Sequence, residues 1–225
     1  MKILLIEDEK SLASTIQKFL IGEGYICELA TDFLEAEDKI GVYAYDCVVV
    51  DIMLPHGSGL TIVEKLKKQQ STTGIIIISA KNALDDKIKG LDLGADDYLT
   101  KPFHLAELNS RIKSIVRRRH FEGNVEIIFG EIKIIPDSNE VSIKGKNIVL
   151  TKKEFDLLMY LVSNKNRVLT KSAISEHLYG DEIDQVDSFD FLYSHIKNLR
   201  KKLLEMNCPD YIQTLYGVGY KLSLA

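Results

Sequence analysis

Four short apolar runs in this chain show no alternation of polar and apolar residues: Lys2-Ile3-Leu4-Leu5-Ile6, Cys47-Val48-Val49-Val50, Ile75-Ile76-Ile77-Ile78 and Tyr98-Leu99-Thr100. A strand with one wet face alternates, so an unbroken run marks a strand buried on both faces, as in a parallel sheet covered by helices. Each run ends in a polar residue: Glu7 and Asp8 after the first, then Asp51, Ser79, and Lys101 followed by Pro102. Ligands of an open α/β sheet sit outside the carboxyl ends of its strands. Glu7, Asp8, Asp51, Ser79 and Lys101 are therefore expected to converge on one edge.

Helical periodicity fills the gaps. Leu12, Ile16, Phe19 and Leu20 share one face, Leu60, Val63 and Leu66 another, and Leu105, Leu108, Ile112, Ile115 and Val116 a third. Strand and helix in strict alternation predict a doubly wound, five-stranded parallel sheet over residues 1–120. Arg117-Arg118-Arg119-His120 closes the last helix with cations, where the helix dipole favours them, and 121–124 reads as a short linker. Residues 125–225 follow a different pattern, α+β in class. Short alternating strands separated by Pro136–Asn139 and Lys144–Asn147 indicate an antiparallel meander. Thr151-Lys152-Lys153-Glu154 is a capping box, Thr170 caps a second helix ending near Gly180, and a longer helix runs from about Ser188 to Leu204. A hairpin of Tyr211–Leu215 and Tyr220–Leu224 turns through Gly217-Val218-Gly219. With 225 residues, 45% of them hydrophobic, the chain can fill two cores.

Carboxylates gathered within a few ångströms require a counter-charge. A hard divalent cation with oxygen ligands supplies it, and a site of few carboxylates suits Mg²⁺. Glu7, Asp8, Asp51 and the backbone carbonyl of Met53 form the expected ligand set. Asp51, on the central strand, is placed as a nucleophile that takes a phosphoryl group. Lys101 would pair with a phosphoryl oxygen, the Ser79 hydroxyl would bind another, and Lys101–Pro102 is a candidate cis peptide. A single Asp or Ser after a strand commonly just caps the next helix. Complementary groups at four strand ends favour a pocket instead.

Leu5–Glu9, Val50–Pro55 and Gly94–Phe103 resemble the receiver domain of bacterial two-component response regulators. The resemblance implies a CheY-like fold, Mg²⁺-dependent phosphoryl transfer from a sensor histidine kinase to Asp51, and slow self-dephosphorylation. Glu7 stands where many relatives carry Asp, and either carboxylate can hold the metal. The resemblance also makes Ser79 and Tyr98 a switch pair. A dimer face on the last third of the domain would pair Lys87 with Glu107, Asp97 with Arg111, and Asp92 with Lys113 between subunits upon phosphorylation.

The net charge of −4 gives no global sign of nucleic-acid binding, so any basic surface must be local. On the longest helix of the second half, Ser194, Lys197, Asn198 and Lys201 lie opposite the apolar face, flanked by Arg200 and Lys202. No carboxylate occurs from Phe191 through Leu204, and a one-signed face suits phosphates. Leu150–Leu158, His195–Leu203 and Thr214–Lys221 resemble the winged helix-turn-helix of OmpR/PhoB-type regulators. That resemblance adds Tyr216 and Lys221 of the wing to the DNA-binding set and implies double-stranded promoter DNA as ligand, with RNA polymerase a candidate partner. Asp190 and Tyr216 depart from it, each standing where relatives often carry arginine. Two alternatives remain open. A haloacid-dehalogenase-type phosphatase shares the strand-end Asp, Mg²⁺ and Lys, but it needs a second acid where this chain has Met53, so an enzyme is not expected. The second half could instead serve protein docking. Apolar runs are too short for a signal peptide or a membrane span, which points to the cytoplasm. Cys27, Cys47 and Cys208 lack metal-ligand spacing and read as free buried thiols.

Overall fold

The structure, a computed structural model, describes residues 1–69, 72–80, 84–121, 123–180 and 189–224. The chain divides into two compact units, Met1–Gly123 and Asn124–Ala225.

In the first unit, β1 (Lys2–Ile6), α1 (Lys10–Gly22), β2 (Ile26–Ala30), α2 (Phe33–Val42) and β3 (Cys47–Asp51) are followed by a two-residue ladder of β4 (Met53–Leu54) and β5 (Gly57–Ser58). Then come α3 (Gly59–Lys68), β6 (Gly74–Ser79), α4 (Leu84–Asp92), β7 (Asp97–Thr100) and α5 (Leu105–Phe121). Among the described residues the large sheet has the order β2-β1-β3-β6-β7, all parallel, which is the expected doubly wound arrangement. The unbroken apolar runs are explained by two cores, one on each face. Leu4, Ile6, Val48, Val50, Ile75 and Ile77 pack toward Ile62, Val63 and Leu66 of α3. Ile3, Leu5, Val49, Ile76 and Ile78 pack toward Ile16 of α1 and Leu108, Ile112 and Ile115 of α5. Successive strand residues point to opposite faces, so both faces need apolar side chains.

Lys2 opens β1 and is wholly buried. Its Nζ lies 2.8 Å from Glu28 Oε1 and over the rings of Tyr43 and Tyr45, and the Tyr45 hydroxyl donates to Glu28 Oε2 at 2.6 Å. The β4–β5 ladder is not evident in the sequence pattern. It turns through His56 at φ 65°, and a side chain at Gly57 would overlap the ring of Phe33.

The second unit begins with β8 (Ile127–Phe129), β9 (Ile132–Ile135), β10 (Glu140–Ile143) and β11 (Lys146–Ile148), an antiparallel meander. Next are α6 (Lys152–Ser163), β12 (Val168–Thr170), α7 (Lys171–Tyr179), α8 (Asp190–Glu205), β13 (Ile212–Leu215) and β14 (Gly219–Leu222). The capping box at Thr151 and Glu154 is formed, and the Thr170 hydroxyl accepts from the Ala173 amide at 3.1 Å. The meander, the three helices and the terminal hairpin are the elements of the expected winged helix. Two details differ. The α8 helix starts at Asp190, and Ser188 lies outside the described residues. The strand β12 is too short for periodicity to reveal, yet it pairs with β14, giving a three-stranded sheet β12-β14-β13. No helix among the described residues is long and apolar enough to cross a membrane.

Candidate functional site

The carboxyl ends of β1, β3 and β6 bring the polar residues together. Asp51 is the last residue of β3 and Ser79 the last of β6, and both are buried. Glu7 follows β1 and is wholly buried, with its amide held by the Ala30 carbonyl at 3.0 Å. Asp8 is exposed. Lys101 follows β7, its amide donates to the Ser79 carbonyl at 2.8 Å, and its bond to Pro102 is cis.

From there the Lys101 ammonium reaches two acids at once. Its Nζ donates to Glu7 Oε2 at 2.7 Å and Oε1 at 2.9 Å, and to Asp51 Oδ2 at 2.6 Å. The Met53 amide donates to Asp51 Oδ1 at 3.1 Å, so both oxygens of Asp51 are held. Burial raises the Glu7 carboxyl above its ordinary value, while Lys101 pulls it the other way. Burial lowers the Lys101 ammonium, but hydrogen bonds and charge from Asp51 and Glu7 outweigh it and hold the group above its ordinary value.

One ligand oxygen each from Glu7, Asp8 and Asp51 lie within 4.8 Å of one another. Three hard carboxylates, one of them open to solvent, fit a hard cation that keeps part of its water shell. Tyr98 is buried on the neighbouring strand, in register with Ile77, two residues before the Thr100 that faces Ser79. Glycine at position 90 lets α4 lie close over Ile77 and the Tyr98 ring.

Charges on the α4–β7–α5 face pair within the chain. Arg111 Nη1 is 2.6 Å from Asp97 Oδ2, and Arg111 Nη2 is 2.7 Å from Glu107 Oε1. Arg111 thus holds Asp97 and Glu107, two of the three acids expected to reach across to a second subunit. Lys87 and Asp92 are exposed and Lys113 is partly exposed.

In the second unit, α8 buries Leu192, Ile196, Leu199 and Leu203 and leaves Ser194, Lys197, Asn198 and Lys201 exposed. The Ser194 hydroxyl donates to the Asp190 carbonyl at 3.0 Å, and Lys201 is 3.7 Å from Glu205. Arg200 and Lys202, placed on the flanks of this face by periodicity, have partners inside the unit. Arg200 reaches Asp210 at 3.1 Å, Thr214 Oγ1 at 3.2 Å and the Ile212 carbonyl. Lys202 Nζ lies 2.6 Å from Glu154 Oε2 and 3.0 Å from the Val149 carbonyl. These two cations tie α8 to β13 and to the start of α6, because a helix packed on two sides presents its flanks to its neighbours. At the wing, Tyr216 is 94% exposed and Lys221 partly exposed.

One pair joins residues 22 positions apart and leaves no local pattern in the sequence. Lys171, the first residue of α7, donates to the Tyr193 hydroxyl at 2.8 Å. The available signal is that Tyr193 sits one helical turn before Lys197.

Comparison with known proteins identifies both units. Residues 3–113 match the family described as "Response regulator receiver domain", and residues 145–222 match "Transcriptional regulatory protein, C terminal". The chain is 38% identical over 98% of its length, and 96% of the relative's, to the alkaline phosphatase synthesis transcriptional regulatory protein PhoP of Bacillus subtilis. It is 39% identical over 97% of its length, and 98% of the relative's, to the response regulator ArlR of Staphylococcus aureus. Among solved structures, the receiver domain of the Francisella response regulator 1452 matches 52% of this chain and 97% of its own, with TM-score 0.50 and 38% identity. A CheY-like receiver domain protein from Methanospirillum hungatei matches 54% of this chain and 97% of its own, with TM-score 0.52 and 27% identity. Two units of matching kind, joined in the same order across nearly the whole length of such relatives, make this chain a two-component response regulator of the OmpR/PhoB family, with a receiver domain and a DNA-binding domain.

Proposed function

We propose that Asp51 is the phosphoacceptor of this regulator and that its phosphorylation by a sensor histidine kinase promotes dimerisation and binding to promoter DNA. The observation that carries this reading is the Lys101 ammonium shared between Asp51 and Glu7, with Asp8 alongside. An Asp51 oxygen attacks the phosphorus of a phosphohistidine, the P–N bond breaks, and a mixed anhydride forms at Asp51. Glu7, Asp8, Asp51 and the Met53 carbonyl would hold Mg²⁺, which supplies charge neutralisation for the phosphoryl oxygens. Lys101 leaves the esterified Asp51 oxygen for a phosphoryl oxygen, and the Ser79 hydroxyl donates to another. As Ser79 moves, Tyr98 is the ring positioned to respond. Met53 offers no carboxyl at the position where an aspartyl phosphatase needs a general acid, so the anhydride persists and the site acts as a switch.

Phosphorylation then favours a two-fold dimer on the α4–β7–α5 face, with Lys87, Asp92, Asp97, Glu107, Arg111 and Lys113 exchanging partners between subunits. On DNA, Ser194, Lys197, Asn198 and Lys201 of α8 face the duplex, with Tyr216 and Lys221 at the wing. Arg200 and Lys202 instead hold the reading helix in place. RNA polymerase is a candidate partner, and the cytoplasm is the expected location.

The test is to treat the full chain with an acyl-phosphate donor and to separate phosphorylated from free protein on a phosphate-affinity gel. A shifted band that requires Mg²⁺ and vanishes in Asp51→Asn is expected. A band that persists in Asp51→Asn removes Asp51 as acceptor. Tyr98→Phe keeps phosphorylation, and Arg111→Glu abolishes phosphorylation-dependent dimers in gel filtration. Normal dimerisation of Arg111→Glu would refute the interface.

A further inference from the structure

We propose that Lys171 and Tyr193 form a clamp for one backbone phosphate of duplex DNA at the junction of α7 and α8; this rests on the DNA-binding reading of the α8 face. Tyr193 is 40% exposed, and its hydroxyl accepts a hydrogen bond from Lys171 Nζ at 2.8 Å. A phenol that accepts still has its own proton to donate, and an ammonium has three donors, of which this bond uses one. The pair therefore offers several N–H and O–H donors from two side chains at one place on the surface. Accepting from a cation polarises the phenol and makes its O–H a stronger donor.

The pair carries one net positive charge at a surface position. Lys171 is the first residue of α7, where the helix dipole opposes a positive side chain, and the partner that the structure gives it is a neutral phenol. A phosphate oxygen would meet the ammonium, the phenol proton and the positive end of α7 together. The position also fits a duplex. Tyr193, Lys197 and Lys201 lie at i, i+4 and i+8 on α8 and line an open groove of about 560 Å³ together with Arg200, Glu205 and Tyr220. One phosphate at the Lys171–Tyr193 end would set where along the strand Lys197, Asn198 and Lys201 meet the DNA, which is how phosphate contacts fix register.

The experiment measures binding of the full chain by fluorescence anisotropy, from about 50 to about 200 mM salt. The probes are a random-sequence duplex and a duplex selected by the wild-type protein from a random library. Lys171→Ala is expected to weaken both equally and to make the log–log salt slope shallower by about 0.9, while Lys171→Arg keeps the slope. Tyr193→Phe removes no charge, so it leaves the slope unchanged and weakens both probes by about tenfold or more, the effect of one hydrogen bond to a charged group. Melting curves confirm that the variants are folded. An unchanged slope in Lys171→Ala overturns the clamp, as does a neutral Tyr193→Phe combined with altered sequence preference in Tyr193→Ala. Lys197→Ala and Lys201→Ala separate the two levels of the argument. If they lower the slope and Lys171→Ala does not, the clamp alone falls; if none of the three changes it, the α8 face falls with it.

Discussion

Replacing Lys202 by methionine distinguishes a structural cation from a DNA contact. Lys202 Nζ lies 2.6 Å from Glu154 Oε2, the same oxygen that accepts the Thr151 amide of the capping box at 2.8 Å. Glu154 is buried, so removing the ammonium leaves a buried carboxylate with Thr151 as its remaining support. A hydrogen bond to a charged group contributes about 1.5–3 kcal/mol. The Lys202 side chain is 33% exposed, so water restores part of this, and a loss of about 1–2 kcal/mol is expected. Methionine keeps the apolar stem and adds no packing defect. For a unit of this size each kcal/mol lowers the melting midpoint by about 4–8 °C. Calorimetry on the full chain should show the transition of the second unit moving while that of the first stays in place.

The pH dependence provides a second check. Burial raises the Glu154 carboxyl, but the bonds from Lys202 and Thr151 outweigh it and hold the group below its ordinary value. A depressed carboxyl contributes stability above its unfolded pKa and loses it as the pH falls through the folded one. Wild type and Lys202→Met should therefore differ most near neutrality and converge in acid. The salt slope of DNA binding should not change. An unchanged melting midpoint together with a slope shallower by about 0.9 would show that Lys202 belongs to the DNA face after all.

Other perturbations follow from local geometry. His56 at φ 65° occupies a left-handed conformation that costs a side chain more than it costs glycine, so His56→Gly should stabilise the first unit by about 0.5–1 kcal/mol in urea titrations. No gain would mean that the imidazole makes a compensating contact. A methyl at Gly59 would overlap the Asp51 carbonyl, so Gly59→Ala should destabilise the first unit by about 1–3 kcal/mol and slow phosphorylation, and a wild-type melting curve would contradict this. Burial pushes the Cys27 thiol up to about 12 and Cys208 up to about 11, and it raises Cys47 further. Iodoacetamide at mildly alkaline pH should therefore leave all three unmodified in the native chain, by intact mass, and label them in denaturant. Labelling of native Cys208 would indicate that its burial is transient.

The sequence was most legible where one physical demand dominated. Unbroken apolar runs require two covered faces, and the cores around Val50 and Val49 on opposite sides of β3 supply them. The strand-end acids and Lys101 were legible because parallel topology alone brings them to one edge. The flanks of α8 were not. Periodicity gives the angle of Arg200 and Lys202 around the helix but not what packs there, and Asp210 and Glu154 are distant in sequence. Lys2 is a related case, since its position in an apolar run is explained by the remote Glu28 and two tyrosines. Pairings that depend on a partner tens of residues away leave no local pattern.

The strand β12 sets an order of assembly during synthesis. Val168, Leu169 and Thr170 pair with Lys221, Tyr220 and Gly219, so the strand leading into α7 waits unpaired until β14 has left the ribosome. Every strand of the receiver sheet, by contrast, finds its partners before residue 101 is reached. Folding proceeds by domains from the N-terminal side during synthesis. The pocket of Glu7, Asp51 and Lys101 can therefore close on a nascent chain whose wing is still incomplete, so the receiver domain is finished before the DNA-binding domain.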